Sequence, residues 1–119
     1  MTDTTTEYPD DADGKALRRI AATGADMMRP MVIEFSVDVP DETAARAVAE
    51  GVSTHVSTHG YTASVDRDGE DGLLTVYCAR SMLATYRGVV DAQLEINALC
   101  TPLGGNCDGW GTWGNTQGR

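Results

Sequence analysis

The sequence predicts an α+β domain of the ferredoxin-like class, an α/β sandwich in which a four-stranded antiparallel sheet carries two helices on one face, with an extra helix at the N-terminus. Apolar residues alternate with polar ones in some segments, as in strands, and recur every three or four residues in others, as in helices. After the first helix the order of these segments is strand, helix, strand, strand, helix, strand, which packs most simply in this way. A length of 119 residues suits one two-layer core.

The N-terminal third contains a tail, a helix and a strand in the predicted order. Residues 1–12 are polar and acidic, which is typical of a flexible tail. Asp13 is expected to cap a helix over residues 14–23, which Gly24 ends. The alternation from Met31 to Val39 predicts a half-buried strand.

The rest of the chain supplies the other elements of the sandwich. They are a helix that Asp41 caps and Gly60 ends, a hairpin over 61–79 with its turn at 68–72, a helix over 87–102 ended by Gly104 and Gly105, and a strand over 107–113. The domain is therefore expected to span residues 13–113, with a short C-terminal tail over 114–119.

One face of the predicted sheet is left uncovered, and its residues are polar and acidic. The alternation rule places six side chains there, namely Glu34, Ser36, Asp38, Thr62, Ser64 and Asp66. The whole chain is also acidic, with 18 Asp and Glu against 9 Lys and Arg and a formal net charge of −9. Such a charge disfavours nucleic acid and anionic membranes as direct ligands, and it favours a basic protein.

The most distinctive segment is Asp108-Gly109-Trp110-Gly111-Thr112-Trp113. Glycine inside a strand costs about 0.5–1 kcal/mol relative to alanine, so two glycines around a tryptophan predict a bulge or a close backbone approach. The two tryptophans are three residues apart and should point to opposite faces, unless a bulge changes the register. One is expected to pack under a helix, and the other to be exposed or to cap an edge of the sheet. An exposed tryptophan is a frequent interaction anchor, and the alternative is that both tryptophans serve the fold.

Residues with reactive side chains do not form a recognisable catalytic or metal-binding motif. His55 and His59 are four residues apart on a predicted helix, but no third ligand stands at a helpful spacing. Cys78, Cys100 and Cys107 are an odd number without a paired motif, which predicts reduced thiols, and Cys78 is expected in the core. We predict no cofactor and no metal; a small enzyme or metal site centred on Cys107, His55 and His59 remains an alternative.

Two further classes of function are disfavoured by the pattern of residues. The central strands read Glu, Ser, Asp and Thr where RNA-recognition domains of this topology carry basic and aromatic side chains. No apolar run is long enough to span a bilayer, and the N-terminus lacks the features of a signal peptide. The expected location is therefore the cytoplasm.

The segments Val89-Val90-Asp91-Ala92-Gln93-Leu94-Glu95 and Asp108-Gly109-Trp110-Gly111-Thr112 resemble those of the RraB family, the regulators of ribonuclease activity B. The similarity extends over residues 13–113. It implies a ferredoxin-like domain that binds ribonuclease E and inhibits it, without chemistry of its own. The alternative is an acidic binding module for another protein, such as a toxin or an assembly subunit.

The candidate contact residues for a protein partner follow from the acidic face and from the last strand. They are Glu34, Asp38 and Asp66 on the open face, with Asp108, Trp110 and Trp113 on the last strand. Of these, Asp108 and Trp110 are expected to serve the fold more than the contact. The oligomeric state is left open, because edge strands of such sheets are able to pair between chains.

Overall fold

The computed structural model describes residues 8–54, 61–67 and 74–115. The elements in chain order are α1 (Ala12–Ala22), β1 (Met31–Val39), α2 (Glu42–Thr54), β2 (Thr62–Asp66), β3 (Leu74–Met82), α3 (Tyr86–Cys100), a 3₁₀ turn (Thr101–Leu103) and β4 (Asn106–Thr112). Within the described ranges, no helix is long and apolar enough to cross a membrane.

The four strands form one antiparallel sheet in the order β2-β3-β1-β4. The α+β class and the four-stranded antiparallel sheet are therefore confirmed, and the strand order is compatible with the ferredoxin-like arrangement. The predicted strand over Met31–Val39 is confirmed as β1. β3 continues to Met82, three residues beyond the predicted end of the hairpin, because it pairs with β1 along the full length of both strands.

The core lies between the sheet and the helices. Every second residue of β1, from Met31 to Val39, is buried, and Phe35 lies at the centre of this row. The apolar stripes of the two covering helices pack on it, namely Ala44, Ala45, Val48 and Val52 from α2 and Val89, Ala92, Ile96 and Cys100 from α3. Because each large apolar side chain contributes about 1.5–3 kcal/mol when fully buried, this layer supplies most of the drive to fold.

The start of α1 differs from the prediction. The N-cap is Asp11, whose Oδ1 accepts a hydrogen bond from the Gly14 amide at 2.8 Å, whereas Asp13 was the expected cap. Either aspartate is chemically able to cap a helix. The carboxylate of Asp13 is used elsewhere, since it accepts hydrogen bonds from side chains of α3 and β4. The expected cap of α2 is confirmed, with Asp41 accepting from the Ala44 amide.

Two glycines make the passage from α3 to β4 possible. Gly104 has a φ of 91°, in the left-handed region that favours glycine. A Cβ on Gly105 would lie 2.9 Å from Val37 Cγ1 and 3.0 Å from Cys100 Cβ. The first glycine therefore turns the chain, and the second lets β4 begin against the core. The predicted end of α2 at Gly60 and the turn at 68–72 lie outside the described residues.

A candidate protein-binding face

The face of the sheet that the helices leave uncovered carries three of the predicted contact residues. Asp66 of β2 and Asp38 of β1 stand in one row across the sheet, on either side of Thr75 of β3. Strands in a sheet lie about 4.8 Å apart, so these two carboxylates are about 10 Å apart. Thr75 Oγ1 donates a hydrogen bond of 3.2 Å to Asp38 Oδ1, which fixes the direction of that side chain.

Asp108 joins this acidic row through a β-bulge. The register between β1 and β4 shifts between Ser36 and Val37, which leaves Asp108 as the extra residue on β4. Its carboxyl hydrogen bonds to the carboxyl of Asp38, and this contact is the main reason that the pKa of Asp108 is raised. Desolvation and the charge of Asp38 raise that pKa further. The bulge predicted from the sequence is thus present, and it concentrates negative charge.

Glu34 lies on the same face, opposite Gly111 of β4, and the next open-face pair is Ser36 with Gly109. A Cβ on either glycine would meet no atom within 4 Å, and neither glycine has a positive φ. Packing and backbone conformation within the described residues therefore do not require glycine at these two positions. Their effect is to leave the surface beside Glu34 flat.

The two tryptophans of the last strand occupy different environments, and neither lies among the acidic residues. Trp110 is opposite Phe35 on the covered side, where its Nε1 donates a 2.8 Å hydrogen bond to Asp13 Oδ1. Trp113 follows the end of β4 and is 75% exposed. The structure thus brings Glu34, Asp38, Asp66 and Asp108 onto one face, and it places the tryptophans elsewhere.

The sequence model of the RraB family, described as regulator of ribonuclease activity B, matches residues 10–112. The chain belongs to the RraB family. A comparison with curated proteins found no match. The family description gives the general kind of function as regulation of ribonuclease activity, which indicates a protein partner.

The thiols of this RraB-family chain are not activated for chemistry. Burial raises the pKa of Cys78 to about 12 and that of Cys100 to about 11. The pKa of Cys107 is also raised, mainly by burial, so its thiol is protonated at neutral pH. His55 and His59, the predicted base or ligands, lie outside the described residues. Among the residues that are described, no group of three or more His, Cys, Asp or Glu side chains is placed to hold a metal ion.

Sequence reasoning missed two residues that shape this region of the RraB-family fold. Tyr77 of β3 lies between Ser64 and Ser36 at the centre of the open face, where it is partly exposed. The alternation of β3 carries that signal, since Thr75 and Tyr77 are its outward positions. Asp13 joins three elements, because it accepts from Trp110 and, at 3.2 Å, from Gln93 Nε2. No local sequence pattern predicts a contact between residues so far apart in the chain.

Proposed function

We propose that this protein binds and inhibits a ribonuclease such as ribonuclease E. Binding takes place through the acidic open face of the sheet, and the protein carries out no chemistry of its own. The observation that carries the proposal is the row of carboxylates from Asp66 through Asp38 to Asp108, on a face that the helices leave bare. The family match supplies the class of target.

The charges of this face suit a basic protein surface. Asp38 and Asp108 lie on the neighbouring strands β1 and β4, and the raised pKa of Asp108 reflects the proximity of the two carboxyls. A lysine or arginine of the partner placed between them would relieve their mutual repulsion. With a net charge of −9, the chain would also be steered toward such a partner from a distance.

Tyr77 and the two glycines of β4 complete a surface with the features of a protein interface. Tyrosine is among the residues that most often dominate binding energy at interfaces, and Tyr77 is central and partly exposed. Gly109 and Gly111 allow a partner to approach the backbone of β4 without meeting side chains. The proposed site is therefore a flat acidic face with one aromatic residue near its middle.

The test is binding of the purified protein to ribonuclease E from the same organism, measured by calorimetry at low and moderate salt, with RNA cleavage followed in parallel. The variant Glu34→Lys/Asp66→Lys reverses two charges of the open face and leaves the Asp38–Asp108 pair and its contact with Thr75 in place. We expect binding at low salt to weaken by roughly tenfold or more, mostly through slower association, and inhibition to fall in proportion.

A matched control reverses two exposed charges on the helical side of the molecule. Glu50→Lys/Asp91→Lys changes the net charge by the same amount on α2 and α3. We expect this control to bind nearly as well as the parent protein. An equal loss of binding in both variants would show that only the overall charge matters, and it would reject the open face as the site. If the parent protein does not bind ribonuclease E at either salt concentration, the partner is a different protein, such as a toxin or an assembly subunit.

A further inference from the structure

A groove of about 390 Å³ lies between α1 and the end of β4. One wall is helical and includes Ala16, Arg19 and Ile20, and the other includes Trp110 and Trp113. The groove is mainly apolar, and of its lining residues in the described part of the chain Arg19 alone carries a charge. Arg19 therefore brings one positive charge to the rim of this groove, and the hollow next to it, which Arg19 also lines, contains Asp13 and Asp108.

The chain on both sides of the exposed Trp113 is held by hydrogen bonds. Before it, Thr112 Oγ1 donates to the Val32 carbonyl at 2.6 Å and accepts from the Gly114 amide at 3.1 Å. After it, Asn115 accepts from the Asp26 amide and donates to the carbonyls of Asp26, Arg29 and Pro30, at distances from 2.8 to 3.3 Å. We call this set of Asn115 contacts the Asn115 clamp.

The clamp gives Trp113 the character of a preorganised binding residue. An exposed aromatic side chain on a fixed backbone loses less conformational entropy on binding than one on a mobile end. Tryptophan and arginine are also the residues most enriched among those that dominate interface energies. The family match ends at Thr112, so Trp113 and Asn115 lie outside the matched residues.

The charge of Arg19 indicates which kind of ligand would fit the groove. Its guanidinium is exposed and forms no ion pair with any residue in the described ranges. The nearby carboxylate of Asp13 already accepts hydrogen bonds from Trp110 and Gln93. A ligand with a carboxylate at the rim would pair with Arg19, while an apolar group covers the indole of Trp113 and the side chain of Ile20.

We propose that this groove binds a segment of a protein partner that presents aliphatic side chains next to a carboxylate. The aliphatic groups pack between Trp113 and α1, and the carboxylate pairs with Arg19. This site differs in place and in charge preference from the acidic face, and it does not depend on the function proposed above.

The test uses three capped peptides and the two indole N–H signals of the ¹⁵N-labelled full chain, which has two tryptophans. The peptides are acetyl-Glu-Leu-Leu-amide, its charge-reversed form acetyl-Lys-Leu-Leu-amide, and acetyl-Glu-Ser-Ser-amide, which lacks the apolar groups. We expect the first peptide to shift the Trp113 signal saturably, with at least about tenfold tighter binding than the other two, because each lacks one of the two contacts.

Two variants and a control complete the design. Arg19→Glu is expected to exchange the preference between the first two peptides. Trp113→Ser is expected to abolish saturable binding of the first peptide, followed in that variant through the Trp110 indole signal, because Trp110 also lines the groove. Arg87→Glu, on an exposed position of α3, changes the charge equally and should leave the preference intact. Thermal unfolding of each variant verifies that it is folded.

Several results would overturn the proposal. They are a response of the Trp113 signal that does not saturate, equal binding of all three peptides, or an unchanged preference in Arg19→Glu. A Trp113 signal that moves with protein concentration in the absence of peptide would assign the groove to a second copy of this chain instead.

Discussion

Phe35 and Ser36 are neighbours in β1, yet they lie on opposite faces of the sheet and meet different physical demands. Phe35 is fully buried and contacts Tyr61 edge to face, with ring centroids 6.0 Å apart. Ser36 faces the uncovered side, opposite Gly109. Folding therefore restricts the residues of the covered face tightly, whereas the open face is free to carry the charges and glycines to which we assign the proposed binding.

The largest expected effect tests this contrast between adjacent positions. Phe35→Ala removes a buried ring and leaves a cavity, so we expect a loss of about 3–5 kcal/mol in the free energy of unfolding. Ser36→Ala removes one hydroxyl at the surface and should change stability by less than about 0.5 kcal/mol. Denaturant unfolding of both variants provides the measurement. Comparable losses would show that the open face is part of the folding core.

Two glycines, Gly105 just before β4 and Gly109 in its middle, test the same contrast with smaller expected effects. Gly105→Ala introduces a Cβ within 3.0 Å of Val37 and Cys100, and such overpacking is expected to destabilise by about 1–3 kcal/mol. Gly109→Ala introduces a Cβ into open space and restricts the unfolded chain, so it is expected to stabilise by about 0.5–1 kcal/mol. Both variants are measured by thermal and denaturant unfolding. A loss of stability in Gly109→Ala would mean that this glycine serves the fold.

The smallest expected effect concerns the Asp38–Asp108 pair on the open face. Because the folded-state pKa of Asp108 is raised above its ordinary value of 3.8, the stability that this group contributes is fully present below that value. It is lost as the pH rises through the raised folded-state pKa. Asp108→Asn should therefore raise the Tm at pH 7 and leave it almost unchanged at pH 3.

Salt provides the control for that measurement. Asp108 is exposed, so solvent screens its repulsion with Asp38, and added salt should shrink the difference at pH 7. An equal gain in Tm at both pH values would contradict the electrostatic explanation. Such a gain would instead indicate that the substitution acts through the helix or strand propensity of the residue at position 108.

Alternation and spacing were sufficient to predict the covered face, because burial acts on every second residue of a strand and on one stripe of a helix. The bounds of β1, the cap at Asp41 and the polar face from Glu34 to Asp66 are local features of this kind. The glycines around Trp110 predicted a bulge or a close backbone approach in this segment; a bulge is present, but its extra residue is Asp108, and neither glycine is required by it.

Features that depend on distant parts of the chain were not predictable in the same way. Asp11 and Asp13 are equally suited to cap α1; in the structure Asp11 is the cap, and Asp13 accepts a hydrogen bond from Trp110, 97 residues further along. The carboxyl contact between Asp38 and Asp108 needs the register of β4. The groove beside Trp113 exists only because α1 and the Asn115 clamp come together.

The contacts of α1 have a consequence for the order of events during protein synthesis. This helix is synthesised well before its hydrogen-bonding partners Tyr86, Gln93 and Trp110. The turn that follows α1 is then held by Asn115, 89 residues after Asp26. Until these later residues have left the ribosome, α1 lacks its partners, so nascent chains of this protein carry an amphipathic segment that docks late.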